Sequence, residues 1–133
     1  MTKIIYNKLV RDDVPDIIEA DGHTAVYDTI EDNDELLVAL LLKLVEEVRE
    51  LDEVLTEATQ EDDEAVVRDI AVIEEFADVL TVFVELVDEI SKCHEPIADE
   101  ILRQVEEKAR EKGTFSKRIF LREVIEKECD DNE

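Results

Sequence analysis

Apolar residues recur at helical spacing through most of the chain. Leu37, Leu41, Leu44, Val48, Leu51 and Leu55 advance in steps of three or four and predict a helix over about 34–58. Ile73, Phe76, Leu80, Phe83, Val87 and Ile90 do the same and predict a second long helix over about 64–91, after a polar break at 59–63. A short helix is expected to start near Asp13, with Pro15 in its first turn, and to end by Gly22. Residues 24–30 have β-like composition but are few, so they are expected to form an extended linker, with Asp32 or Asn33 capping the next helix. Pro96 is expected to open a fourth helix that stops at Gly113. Residues 115–121 mix basic and apolar side chains, and the tail over 126–133 is expected to fray. With no internal repeat, the pattern predicts an all-α, four-helix-bundle-like domain over residues 1–133.

Each long helix carries a second apolar seam. Leu40, Leu44, Glu47, Leu51 and Val54 alternate steps of four and three, and Val72, Glu75, Val79, Val82 and Leu86 alternate three and four. These are coiled-coil core spacings, and one position of each seam is a glutamate. Helices apolar on so much of their circumference need cover on more than one side. A chain this short supplies few helices for that, so homo-oligomerisation, as a dimer or tetramer, is expected to complete the fold.

Composition narrows the possibilities. A length of 133 residues suits one domain, and two Gly, two Pro and no Trp favour long helices over a turn-rich β fold. The net charge of -24 repels nucleic acid and anionic membranes. Acidic disordered chains lack apolar periodicity, so this is the hydrated surface expected of a folded protein in a halophilic cytoplasm, where salt screens self-repulsion. Cys93 and Cys129 are too few for a disulfide framework and lack metal-ligand spacing. No apolar run reaches membrane-spanning length and no signal-peptide core opens the chain, so a cytoplasmic location is expected. His23 and His94 stand at no metal spacing with the acidic motifs and are expected at the surface. Phe76, Phe83, Phe115 and Phe120 have apolar neighbours and are expected in the core rather than against a base.

The candidate chemistry lies in the carboxylates. Asp and Glu number 39 of 133, so random placement alone yields about 11 acid pairs at i and i+3 on neighbouring helix surface. Spacing therefore says little, but interruption of a seam says more. An ionised Glu inside an apolar seam is costly, and two facing ones are worse unless a cation lies between them. Glu50 and Asp78 stand about 60° round their helices from Glu47 and Glu75, on the same side. The competing reading places these acids at a hydrated seam edge, or in pairs with Lys43 or Arg49.

The motifs Glu46-Glu47-Val48-Arg49-Glu50 and Glu75-Phe76-Ala77-Asp78 match the E-E-x-x-E and E-x-x-D signature of a known family. Tyr6-Asn7-Lys8-Leu9-Val10-Arg11-Asp12 is similar to the N-K-L-V-R-D opening of one small-protein branch of it. Lys112-Gly113-Thr114-Phe115-Ser116-Lys117-Arg118-Ile119 is similar to that branch's K-x-G-x-F-x-x-R ending. Over nearly its whole length the chain thus resembles the MazG-like, all-α nucleoside triphosphate pyrophosphohydrolases, a group that includes phosphoribosyl-ATP pyrophosphohydrolase-like proteins. It departs from the branch at Asp13, where a Lys is usual.

The resemblance implies hydrolysis of a nucleoside triphosphate between its α and β phosphates, as nucleotide-pool housecleaning. It implies Mg2+, with Mn2+ as a substitute, on Glu47, Glu50, Glu75 and Asp78. Glu46, beside Glu47 in the catalytic pair, would position or deprotonate the attacking water. Lys8, Arg11, Lys112 and Arg118 could contact the triphosphate, against the plainer expectation that they pair with surface acids. Phosphoribosyl-ATP is an alternative substrate, and a non-enzymatic helical oligomerisation module is an alternative function. A di-iron carboxylate bundle needs Glu-x-x-His pairs, and the chain has none.

Overall fold

The computed structural model describes residues 2–58, 65–93 and 95–127. They form four α-helices and no strand: α1 (Val14–Ala20), α2 (Asn33–Ala58), α3 (Ala65–Cys93) and α4 (Ala98–Lys112). The chain falls into two compact units, Met1–Ala98 and Asp99–Glu133. The expected polar break at 59–63, His94 and most of the expected frayed tail lie outside the described residues. Among those described, no helix is long and apolar enough to cross a membrane.

In the first unit, local chemistry sets the helix ends. Pro15 stands in the first turn of α1. At its far end, Gly22 N–H donates to the Glu19 carbonyl at 3.0 Å and His23 N–H to the Ile18 carbonyl at 3.2 Å. That is a Schellman stop, and it needs the left-handed φ of 87° that Gly22 supplies. Residues 23–32 then run without regular structure to Asp32. The Asp32 carboxylate accepts from the N–H groups of Asp34 and Glu35 at 2.8 and 3.0 Å and caps α2.

Within this unit α2 and α3 pack on each other, and α1 packs on neither. Only the six residues 59–64 join α2 to α3. They can span roughly 24 Å, whereas returning along the 26 residues of α2 would need about 39 Å, so the pair is antiparallel. The contact uses the interrupted seams. Leu40 and Val82 are buried, and Leu44, Leu51, Val54, Val72, Val79 and Leu86 are half-buried. Glu47 and Glu75 lie two helical turns along from Leu40 and Val82 on their respective helices, which sets the register of the pair.

Much of the other stripes remains uncovered in the single chain, although Leu37, Val87 and Ile90 at their ends are half-buried. Leu41, Val48, Ile73, Phe76, Leu80 and Phe83 are exposed. The expectation that Phe76 and Phe83 belong to the core is therefore corrected: a two-helix hairpin covers one stripe per helix, and the seam closed here is the other one. Phe115 and Phe120 are also exposed, in the irregular segment after α4.

The second unit holds α4 and the segment beyond it. Arg103 pairs with Glu100 and Glu107 one turn away on either side, and its guanidinium holds the Glu100 carboxyl down at about 2. The helix ends where Gly113, at φ 82°, donates its N–H to the Ala109 carbonyl at 2.9 Å. A turn follows, in which Arg118 takes a φ of 58° and its N–H reaches the Phe115 carbonyl at 3.1 Å.

Candidate metal centre

The best-buried side chains of the described hairpin are Leu40, with 6% of its surface exposed, Glu47, also with 6%, and Val82, with 9%. A carboxylate thus occupies a position as dry as the core leucine. Its Oε1 receives Lys43 Nζ at 3.1 Å from the preceding turn of α2. Its Oε2 is buried and has no hydrogen-bond partner among the described residues, and the same holds for Oε2 of Glu75 on the facing helix. Glu47, Glu75 and Asp78 each bring one carboxylate oxygen within 4.8 Å of the other two. Burial, then Asp78, then Glu47 push the Glu75 carboxyl above the usual range. Glu50, expected in the same set, lies beside the trio rather than in it. Its carboxyl is also pushed up, by burial first and then by the closeness of the Glu47 carboxylate.

Two partnerless buried oxygens on facing carboxylates are an unstable arrangement for an ionised pair. Three converging hard oxygen donors suit Mg2+, Mn2+ or Ca2+ rather than a soft metal. Among the described residues, no His or Cys joins the group. The donor set and the orphaned oxygens fit a hard divalent cation, and the trio could hold one.

Two basic residues from the irregular N-terminal segment reach this spot. Lys8 Nζ lies 2.9 Å from Glu46 Oε1, which Lys43 also approaches at 3.5 Å. The Lys8 hydrogen bond, reinforced by Lys43, holds the Glu46 carboxyl below its ordinary range, and in return raises the Lys8 ammonium. Lys8 also sits over the Tyr6 ring, 5.6 Å from its centroid. Arg11 Nη2 donates to Asp78 Oδ1 at 2.8 Å and reaches Thr81 Oγ1 at 3.5 Å, while Thr81 in turn donates to the Ala77 carbonyl at 2.7 Å. Lys112 and Arg118, the other two expected phosphate contacts, belong to the second unit, at the end of α4 and in the turn beyond it.

Glu47, Glu75 and Asp78 are thus brought together, with Glu46 and Glu50 on their flanks and Lys8 and Arg11 at their edge. Glu47 pairs with Lys43 through one oxygen, as the competing reading expects, and its carboxylate also lies close to those of Glu75 and Asp78. Thr81 and Tyr6 were not anticipated. Thr81 stands three residues after Asp78, a signal that was there to be used, whereas the place of Tyr6 depends on the path of a segment without periodicity. His23 is exposed, as expected. Comparison with protein-family models, with curated proteins and with solved structures finds no match for the chain.

Proposed function

We propose that this chain is a divalent-cation-dependent nucleoside triphosphate pyrophosphohydrolase of the MazG-like kind, releasing a nucleoside monophosphate and pyrophosphate. The observation that carries the proposal is the buried, partnerless Oε2 of Glu47, on a carboxylate that converges with those of Glu75 and Asp78 across the α2–α3 seam. Glu47, Glu75 and Asp78 would hold Mg2+, with Glu50 close by to complete or adjust the set. Bound there, the cation would neutralise triphosphate charge and lower the pKa of a bound water.

The chain's own residues supply the rest. Glu46, whose carboxyl Lys8 and Lys43 hold below its ordinary range, is ionised and would accept a hydrogen bond from a water and orient it. Lys8 and Arg11 place two cations at the rim, where a polyphosphate would lie. Phosphoryl transfer depends chiefly on positioning and charge stabilisation, so no nucleophilic Ser or Cys is needed. The uncovered stripes on α2 and α3 support a homo-oligomer in which a second copy covers them.

Those stripes also support a second reading, a helical oligomerisation module with no chemistry. One experiment separates the two: pyrophosphate release from canonical and modified nucleoside triphosphates and from phosphoribosyl-ATP, with Mg2+ in molar KCl. Turnover that falls at least about 100-fold in folded Glu47→Gln and Glu75→Gln supports the enzyme and ranks its substrates. No turnover by folded wild type on any substrate, with no response to Mg2+ in a thermal melt, leaves the oligomerisation module.

A further inference from the structure

Residues 2–12 form no helix or strand, and among the described residues no backbone hydrogen bond joins them to α2 or α3. A left-handed Asn7, at φ 47°, turns the segment just before Lys8. Side chains hold it in place: Lys8 on Glu46, Arg11 on Asp78 and Thr81, and half-buried Leu9 between them. The Arg11–Asp78 bridge is open to solvent, with Arg11 59% and Asp78 38% exposed. Exposed bridges of this kind are weak. Yet Asp78 is one of the three carboxylates that converge on the candidate metal position.

We infer that the N-terminal segment is a strap released by the divalent cation: the cation takes Asp78 from Arg11, and the freed Arg11 and Lys8 become available to the substrate's phosphates. The inference rests on the metal-centre reading above. The cation competes with Arg11 for the Asp78 carboxylate, and a solvent-exposed bridge is weak enough to yield to it. Once Arg11 leaves, the Lys8–Glu46 pair is a single bridge and holds the segment poorly. Lys43 behaves differently, because it is part of α2 and also reaches Glu46, so a shift of its ammonium away from Glu47 frees no segment. Cation and polyphosphate should therefore bind cooperatively, since the first uncovers the groups that receive the second.

The test is limited trypsin cleavage of the full chain at Lys8–Leu9, read by mass spectrometry at fixed KCl across an Mg2+ titration, with Mg2+ affinity measured by calorimetry. The expected result is a several-fold faster cleavage that saturates with cation binding. In Arg11→Gln, cleavage should be fast with or without Mg2+, and Mg2+ should bind more tightly. In Glu47→Gln/Glu75→Gln, Mg2+ should leave the rate unchanged, which controls for effects on the protease. Wild type that binds Mg2+ while cleavage at Lys8–Leu9 stays constant or slows overturns the strap and leaves the metal centre standing. Wild type that binds no Mg2+ overturns both.

Discussion

Glu75 and Glu46 sit one helix apart and respond oppositely to pH. Glu75 has its folded pKa raised above the ordinary 4.5 by burial and by the charges of Asp78 and Glu47. The stability such a group contributes is complete below about 4.5 and is lost as pH rises through the folded value. Glu75→Gln should therefore melt at a higher temperature than wild type at pH 7 in the absence of divalent cations, with the gain shrinking as pH falls towards 4.5. Glu46 has its folded pKa lowered by Lys8 and Lys43. Its contribution is present above about 4.5 and lost as pH falls through the folded value, so Glu46→Gln should melt lower than wild type at pH 7. Thermal melts of both variants between pH 4 and 8 check the two signs. A Glu75→Gln that is less stable at pH 7 would mean that some other group satisfies this carboxylate. Added Mg2+ should reverse the order for Glu75, because the wild type then gains the binding free energy of the cation and the variant does not.

At the scale of the helices, the seam that carries Glu47 is also the seam that holds the hairpin together. Leu40 and Val82 are its buried apolar residues among those described, and Leu40→Ala should cost about 2–4 kcal/mol in urea unfolding. The outer stripe behaves differently: Leu80→Lys and Phe83→Lys remove side chains already exposed in the single chain. Their expected effect is on association, so light scattering should show the wild type as an oligomer and these variants as smaller species, whereas a monomeric wild type would refute the proposed assembly. The helices themselves were legible in advance because apolar periodicity is a local signal; Gly22, Asp32 and Gly113 marked their ends by known capping chemistry. The three converging carboxylates were legible because each of two glutamates broke an otherwise apolar seam. The inward stripe was not decidable beforehand, since both stripes on each helix had core spacing, and Phe76 and Phe83 fell on the side that the hairpin leaves open. Lys8 and Arg11 were picked out by motif resemblance, but their partners were not foreseen, because an irregular segment carries no period from which its path could be computed. Glu50 shows the limit of helical angle as a guide: about 60° of rotation from Glu47 put it beside the trio instead of within it.

The whole molecule carries a net charge of -24, and its stability must depend on ionic strength through two separable routes. The first is screening. Raising KCl from about 0.1 M to about 1 M shortens the Debye length from about 10 Å to about 3 Å, which removes most repulsion between surface acids but cannot reach the buried oxygens of Glu47 and Glu75. The melting temperature should therefore climb with KCl and flatten towards molar salt, and NaCl should act alike, because screening depends on ionic strength. The second route is the carboxylate trio, which only a ligating cation can relieve. In molar KCl, millimolar Mg2+ adds almost nothing to the ionic strength. Any further rise in melting temperature then reports binding and should saturate, unlike the KCl response. The same titration in Glu47→Gln/Glu75→Gln should keep the KCl rise and lose the Mg2+ rise. If both rises persist in the double variant, Mg2+ is acting on the general acidic surface and the trio is not its site; if wild type shows the KCl rise alone, the seam carboxylates are stabilised by Lys43 and Arg11 without a metal.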